Sequence, residues 1–352
     1  MYTKIIEIDQ KNINKDAIEE AAKWVQKKEL VAFPTETVYG LGANGLEPEA
    51  SKKIYAAKGR PSDNPLILHI SSVEEIEPLV CEIPEAAKKA MSAFWPGPMT
   101  IILKKSPIVP LETTGGLDTV AIRMPDHPVA LAFIQACGCP IAAPSANTSG
   151  RPSPTKAEHV WEDMDGKIPC ILDGGAVGIG IESTIVDFTG EAPMILRPGF
   201  ITPQMLEAVI GTTVGIDPAV LNSTKAKEFV PKAPGMKYKH YAPKANMVLV
   251  SGEEGKVISY INERIAQEHE KGVRVGVIAT DETKDCYDAD EVLSIGTQAS
   301  DDTIAFHLYD VLRAFDHKEV SVIYSQVFET GKNGFAIMNR LTKAAGHERV
   351  EV

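Results

Sequence analysis

Apolar positions repeat along the first two hundred residues with two periods, one typical of strands and one typical of helices. Residues 14–28 carry apolar side chains at helical spacing, and residues 4–9 alternate in period two. The same reading predicts further helices at 48–58, 84–94, 128–137, 155–163 and 203–210. It predicts further strands at 30–33, 66–70, 99–103, 119–123, 141–143, 170–172, 183–188 and 194–196. Several strands follow one another without a helix between them, which predicts an α/β fold with a mixed, open sheet.

The alternation of strand and helix patterns stops at residues 218–246, which are rich in Lys, Pro, Gly and Ala and show no sustained period. Alternation then resumes, with helices predicted at 253–270, 302–315 and 335–345 and strands at 248–250, 273–279 and 320–324. This pattern predicts a small Rossmann-like domain with a parallel sheet, although it contains no G-x-G-x-x-G fingerprint for a nucleotide. The predicted organisation is a first domain at 1–217, a linker at 218–246 and a second domain at 247–352.

Charge narrows the possible functions of the 352-residue chain. The net charge of −12 argues against a general nucleic-acid binder. Residues 221–246 run the other way, with six Lys and one Glu, and leave room for a phosphate ligand. No run approaches ~18 apolar residues, and residues 1–11 lack the apolar core of a signal peptide. We therefore expect a cytoplasmic protein without a membrane partner.

The five cysteines are too few and too scattered for a disulfide framework. Cys137 and Cys139 lie in an apolar run, and no second Cys or His pair stands at zinc spacing. We therefore predict buried free thiols and no protein-built metal site.

Four segments of the first domain hold more polar, Gly and Pro residues than packing requires: 33–42, 58–69, 142–150, and 178–187 with 195–199. In the first, Thr35 and Thr37 share a face, although a turn with local hydroxyl-to-backbone bonds would explain them equally. In the second, Lys58 and Arg60 are suited to binding an anion. Cations that interact with the dipole at a helix C-terminus would explain them equally. In the third, Ser145 suits a ligand site, or a helix cap.

Four cations of these segments and of the strand at 119–123 stand at or near the ends of apolar elements: Lys58, Arg60, Arg123 and Arg197. Carboxylates are sparse among them, and the set contains no carboxylate pair, Ser-His-Asp elbow or three-ligand metal cluster. Cations, hydroxyls and amides suit a site that binds phosphates and a carboxylate. Catalysis there would depend on positioning and charge stabilisation.

Taken together, these strings resemble the YrdC-type threonylcarbamoyl-AMP synthase family in its long, two-domain form. The resemblance rests on F-P-T-E-T-V-Y-G-L-G, on K-x-R with R-P-x-x-N-P-L-x-x-H, and on S-x-N, over about residues 14–200. The strings A-P-G-M-K-Y-K-H-Y-A-P at 233–243 and G-F-A-I-M-N-R-L at 334–341 resemble the linker and the C-terminal signature. The resemblance makes the first domain a YrdC-like catalytic domain and the linker a candidate lid.

The resemblance implies that L-threonine, bicarbonate or CO2, and ATP become threonylcarbamoyl-adenylate and pyrophosphate. A separate tRNA threonylcarbamoyl transferase then uses the product on the adenosine 3′ of the anticodon in ANN-decoding tRNAs, and tRNA is not needed for adenylation. The implied cofactor is Mg²⁺, held mainly by the ATP phosphates.

The family motifs assign roles to matching residues. The implied catalytic residues are Lys58, Arg60, Ser145 and Asn147. The implied L-threonine contacts are Thr37, His69, Arg123, Ala143 and Ser183. The implied ATP contacts are Lys58, Arg60, Asn64, Thr119, Ser145, Ser153, Arg197 and Tyr241.

Two rival functions remain at this stage. A hydrogenase-maturation carbamoyl-adenylate former would carry an acylphosphatase-like region and Cys-rich zinc motifs, and both are missing from the sequence. An RNA-binding module would show interleaved aromatic and basic residues, which the sequence lacks.

Overall fold

A computed structural model describes residues 2–221, 233–234, 240–329 and 331–352. The chain forms two compact units. The first comprises Met1–Ser149, Ser153–Gly178 and Glu182–Tyr238, and the second comprises Gly150–Pro152, Ile179–Ile181 and Lys239–Val352. The domain bounds drawn from the sequence stay predictions, and residues 222–232 and 235–239 of the predicted linker lie outside the described residues.

The first unit alternates helices and strands. Its helices are α1 (Lys15–Gln26), α2 (Pro48–Lys58), α3 (Glu85–Phe94), α4 (Leu111–Thr114), α5 (Pro128–Cys137), α6 (Ala157–Met164), α7 (Pro203–Ile210) and α8 (Pro218–Leu221). Its strands are β1 (Lys4–Glu7), β2 (Val31–Phe33), β3 (Gly40–Asn44), β4 (Ile67–His69), β5 (Met99–Lys104), β6 (Thr119–Arg123), β7 (Ile141–Ala142), β8 (Cys170–Asp173), β9 (Thr184–Asp187), β10 (Met194–Arg197) and β11 (Gly215–Ile216).

Among the described residues these strands form one mixed sheet in the order β1-β8-β2-β3-β7-β4-β6-β5-β9-β10-β11. The predicted mixed α/β sheet is therefore confirmed. One face of the central strands packs into the larger core, as Leu68 and Ile122 do. The other face carries a smaller apolar cluster, here called the apolar floor, made of Ile67, Ile102, Ala121, Ile185, Leu196 and Ala233.

The second unit contains β12 (Asn246–Ser251), α9 (Glu254–Glu270), β13 (Val275–Ala279), β14 (Glu291–Ser294), α10 (Asp301–Phe315), β15 (Val322–Gln326), α11 (Gly334–Ala344) and β16 (Arg349–Glu351). Its described strands pair in the order β14-β13-β15-β12-β16, and every pairing is parallel. The predicted parallel α/β domain is confirmed. Within the described parts of both units, no helix combines the length and the apolar character that crossing a membrane requires.

Most elements lie within two residues of their predicted bounds, but several were missed. The sequence reading treated 33–42 as a strand entering a turn, whereas Gly40–Asn44 forms β3 between β2 and β7. It also missed the helices α4 and α8 and the strands β11, β14 and β16. Of the two predicted thiols, Cys137 is buried as expected, but Cys139 is only half-buried.

Candidate functional site

Neighbouring strands of the first sheet bring polar residues that are distant in sequence to the same end of the strands. The parallel pairing of β4 with β6 sets His69 opposite Arg123, and the antiparallel pairing of β5 with β6 sets Thr100 opposite Arg123. Ser183 directly precedes β9, and its Oγ lies 2.7 Å from Thr100 Oγ1. These residues form a polar row across four strands. Since alternate residues share a face, the row and the apolar floor lie on the same side of the sheet.

Arg123 holds this row to the loop between β2 and β3. Its guanidinium is buried and donates from Nη1 to Thr37 Oγ1 at 2.9 Å and from Nε to the Gly97 carbonyl at 3.3 Å. Nη2 lies 2.7 Å from Glu36 Oε2. Three separate nitrogens therefore fix one planar cation beside a hydroxyl, an arrangement that a lysine cannot reproduce.

The two threonines of the loop between β2 and β3 make different sets of hydrogen bonds. Thr35 Oγ1 accepts the backbone N–H groups of Thr37 and Val38, both at 3.2 Å, and donates to the Val38 carbonyl at 2.7 Å. The interpretation as a local turn therefore describes Thr35, whose hydroxyl closes the turn. Thr37 Oγ1 lies 2.9 Å from Thr35 Oγ1 and also accepts from Arg123, so the turn presents Thr37 to the polar row.

Arg197 anchors the other end of the row. It donates from Nε to the Ser183 carbonyl at 3.1 Å and from Nη2 to Ser183 Oγ at 3.1 Å. The backbone of Gly199 passes so close that a Cβ there would lie 2.5 Å from the Thr184 nitrogen. A glycine at this position lets the loop after β10 close on the start of β9, which sets the distance between Arg197 and Ser183.

A second group joins Lys58 to the segment after β7. Lys58 is the last residue of α2 and is buried, although it carries a charge. Its Nζ donates to the carbonyl oxygens of Ser145 and Asn147, both at 2.5 Å. Ser145 Oγ donates to Asn147 Oδ1 at 2.5 Å. The K-x-R and S-x-N strings, nearly ninety residues apart, therefore meet at one ammonium group.

Backbone pairing brings this second group next to the first. The Leu41 N–H donates to the Pro144 carbonyl and the Ala146 N–H to the Tyr39 carbonyl, both at 2.8 Å. On the other side, the Ala143 N–H donates to the Ile67 carbonyl at 2.9 Å. The segment with small residues is thus fixed between the strand that follows the threonine loop and the strand that ends in His69.

The loop after α2 folds back around Arg60. Gly59 ends the helix in the left-handed conformation, with φ +63°, so that Arg60 leaves the helix axis. The buried guanidinium of Arg60 donates to the carbonyls of Asn64 at 3.3 Å and Pro65 at 3.0 Å. Asn64 is buried too, and its Oδ1 has no hydrogen-bond partner. Arg60 therefore stiffens a loop that also holds Asn64.

Three further residues of the predicted ATP site are Thr119, Ser153 and Tyr241. Thr119 is at the opposite end of β6 from Arg123, about 13 Å away at the usual rise per residue. Ser153 Oγ donates to Glu182 Oε1 at 2.6 Å. Tyr241 belongs to the second unit, where its buried ring lies 5.3 Å from that of Tyr309. The predicted ATP contacts of all three stay predictions.

Two further residues, Glu36 and His127, were missed by the sequence analysis. Glu36 contacts Arg123, and His127 precedes α5 with both ring nitrogens buried and without hydrogen bonds. Glu36 did carry a signal, since it is a carboxylate between two threonines directly after a buried strand. His127 carried none, because only the folded chain brings it near Glu36.

Burial keeps both histidines of this region neutral. For His69, burial and then the positive charge of Arg123 lower the pKa to about 3. For His127, burial lowers the pKa to about 4, against the opposing effect of the Glu36 charge. At neutral pH each ring can therefore donate one hydrogen bond and accept one.

The buried histidines predict a loss of stability in acid. Since both pKa values are below the unfolded value of about 6.5, the unfolded chain binds protons first and stability falls as the pH drops from about 6.5 towards 4. We expect the urea midpoint of His127→Asn to fall less steeply over this range than that of the natural protein. The exposed His269 supplies the control, and equal slopes for His127→Asn and His269→Asn would contradict the prediction.

Comparisons with known proteins agree over nearly the whole chain. A family model described as telomere recombination matches residues 23–199, and one described as threonylcarbamoyl-AMP synthase, C-terminal domain, matches residues 201–346. The threonylcarbamoyl-AMP synthase of Pyrococcus abyssi is 51% identical over 94% of this chain and 95% of its own. That of Bacillus subtilis is 49% identical over 96% and 95%.

Solved structures lead to the same family. The crystal structure of P. abyssi Sua5 complexed with L-threonine has a TM-score of 0.93 and 50% identity, covering 99% of this chain and 100% of its own. A variant of that protein with a histidine and the following tyrosine replaced by alanine has a TM-score of 0.93 and 49% identity, covering 99% and 98%. The chain therefore belongs to the threonylcarbamoyl-AMP synthase family and is an adenylyl-transferring enzyme.

Proposed function

We propose that the protein makes L-threonylcarbamoyl-adenylate and pyrophosphate from L-threonine, bicarbonate or CO2, and MgATP. The product would supply a separate transferase that modifies the adenosine 3′ of the anticodon in ANN-decoding tRNAs. The main support is the buried polar row with Arg123 and Ser183, together with its contacts to Thr37 and Arg197 and the adjacent group around Lys58. Further support comes from the 50% identical P. abyssi protein, which was solved with L-threonine.

The polar row suits a small amino acid. We assign the threonine carboxylate to Arg123, because a guanidinium can bind both of its oxygens. Thr37, Ser183 and the neutral ring of His69 offer hydroxyl and imidazole partners for the threonine side chain, and the small Ala143 leaves room beside them. A pocket with such polar partners discriminates against substrates that lack the hydroxyl group.

The groups around Lys58 and Arg60 suit the nucleotide. The carbamate oxygen of threonylcarbamate attacks the α-phosphorus of ATP, and pyrophosphate leaves, so negative charge must be stabilised on both sides of the reacting atom. Lys58 and Arg60 supply fixed cations, and Ser145 and Asn147 supply polar groups at the same place. Mg²⁺ enters as part of MgATP. Among the described residues, no group of three His, Cys, Asp or Glu side chains is placed to hold a metal ion.

Exchange of labelled pyrophosphate into ATP tests this function directly. The purified protein is incubated with ATP, Mg²⁺, bicarbonate and labelled pyrophosphate, and the amino acid is varied. We expect exchange that needs both threonine and bicarbonate. Equal exchange with serine would keep the reaction but remove the specificity for threonine. No exchange with intact ATP binding would contradict the proposal and favour the RNA-binding alternative.

The predicted linker is proposed to close over the nucleotide. Ala233, from this segment, is fully buried in the apolar floor, which lies on the same side of the sheet as the polar row. We expect a chain that ends at residue 217 to form adenylate at a sharply lower rate, because water would reach the labile intermediate. Ala233→Glu in the full chain tests the same contact. Unchanged rates in both would contradict the lid.

A further inference from the structure

Three buried polar atoms without a hydrogen bond belong to the ion pair of Glu36 and Arg123. They are both carboxylate oxygens of Glu36 and Nη2 of Arg123. Nη2 and Oε2 face each other in the ion pair, whereas Oε1 is left without a hydrogen bond. Buried polar atoms are hydrogen-bonded in the great majority of cases, so this carboxylate calls for a functional explanation.

The carboxylate of Glu36 is the more unusual member of this ion pair. Its side chain is 12% exposed, and Arg123 Nη2 lies 2.7 Å from Oε2, although not in the geometry of a hydrogen bond. Burying a charge without hydrogen bonds is unfavourable by several kcal/mol. The Arg123 charge offsets part of this penalty and leaves the acceptor capacity of Glu36 unused.

The reaction proposed above needs a proton acceptor. L-threonine is an α-ammonium ion at neutral pH, and its nitrogen has no lone pair for attack on carbon until one proton has left. Neither Lys58 nor Arg123 can accept that proton, because both are cations. Of the described groups that contact Arg123, Glu36 is the only carboxylate.

We propose that Glu36 binds the α-ammonium group of L-threonine and removes its proton. This inference rests on the proposed function. One N–H bond breaks and one O–H bond forms on Glu36. The freed nitrogen pair then forms the N–C bond with bicarbonate, whose hydroxide leaves with a second amine proton as water, and threonylcarbamate remains. Arg123 holds the threonine carboxylate meanwhile.

The two directions of the reaction separate this role from a structural one. Adenylate formation from threonine and bicarbonate needs the deprotonation. The first turnover from purified threonylcarbamoyl-adenylate and pyrophosphate to ATP does not, because it only breaks the bond between carbamate and phosphorus. For Glu36→Gln we expect forward synthesis to fall at least about 100-fold, while single-turnover ATP formation stays within about fivefold.

Controls make each outcome decisive. Glu85→Gln, at an exposed position on α3, should change neither direction. If the natural protein forms no ATP from the adenylate and pyrophosphate, the proposed function itself fails. If the natural protein does so, and Glu36→Gln loses both directions equally, Glu36 is only the counter-ion that orients Arg123 and the inference is overturned. Unchanged forward synthesis in Glu36→Gln would overturn it as well.

Discussion

Replacing Lys58 by methionine is expected to lower the rate of adenylate formation by at least about 100-fold, the usual effect of removing one fixed group that stabilises transition-state charge. Methionine retains most of the apolar stem but removes the ammonium group that binds the carbonyls of Ser145 and Asn147. Each unpaired carbonyl should also reduce the free energy of unfolding by about 1–3 kcal/mol. Initial rates of pyrophosphate release and thermal unfolding measure the two effects.

Lys58→Arg should not restore activity, because the side chain is buried and a planar fork cannot replace a compact ammonium group. Lys52 supplies the matched control on the same helix, since its side chain is 55% exposed and pairs with Glu49 at the surface. Lys52→Met should leave the rate within about twofold, because exposed ion pairs contribute little. If Lys58→Met formed adenylate at a rate within threefold of the natural protein, the proposed role of Lys58 in stabilising transition-state charge would be wrong.

Periodicity predicted most of the fold because most elements bury one regular face. α1 buries Ile18, Ala21, Ala22 and Val25, the residues that the helical spacing selected. β3 was not predicted, because a segment with two glycines is not typical of a strand. Gly42 is needed there for close approach, since a Cβ would lie 2.8 Å from Ile141 Cγ2. Strands β14 and β16 were not predicted because both are short strands at the edges of their sheet and neither contains a buried residue.

The candidate site shows a different limit of the sequence. Motif strings marked Lys58, Ser145 and Asn147, and the structure joins them through one ammonium group. The strings could not show that Thr35 closes the turn and contacts Thr37 Oγ1 while Thr37 accepts from Arg123, because alternation only puts both threonines on one side. Nor could they find His127, because its electrostatic interaction with Glu36 depends on the folded chain. Spacing finds residues that share an element, whereas proximity across elements depends on sheet order.

Replacing Arg123 by lysine is expected to raise the KM for threonine about 100-fold and to change the KM for ATP less than about threefold. Lysine keeps the charge but loses the fixed fork that donates to Thr37 and Gly97. A hydrogen bond to a charged group is worth about 1.5–3 kcal/mol, and the upper end of that range corresponds to a factor of more than 100. Initial rates at varied threonine with saturating ATP, and the reverse, separate the two constants.

Arg274 provides the matched control for this substitution. Its side chain is 48% exposed, and its ion pairs to Asp290, Glu291 and Glu319 are 3.6–4.0 Å long, so Arg274→Lys should alter neither KM. If Arg123→Lys raised the KM for threonine and the KM for ATP equally, Arg123 would stabilise this end of the strands as a whole rather than bind threonine. A rise confined to ATP would reverse the assignment and place the nucleotide on the polar row. Only a selective rise of the KM for threonine agrees with our assignment. In that assignment Arg123 binds the amino acid carboxylate from a position fixed by three strands and a loop.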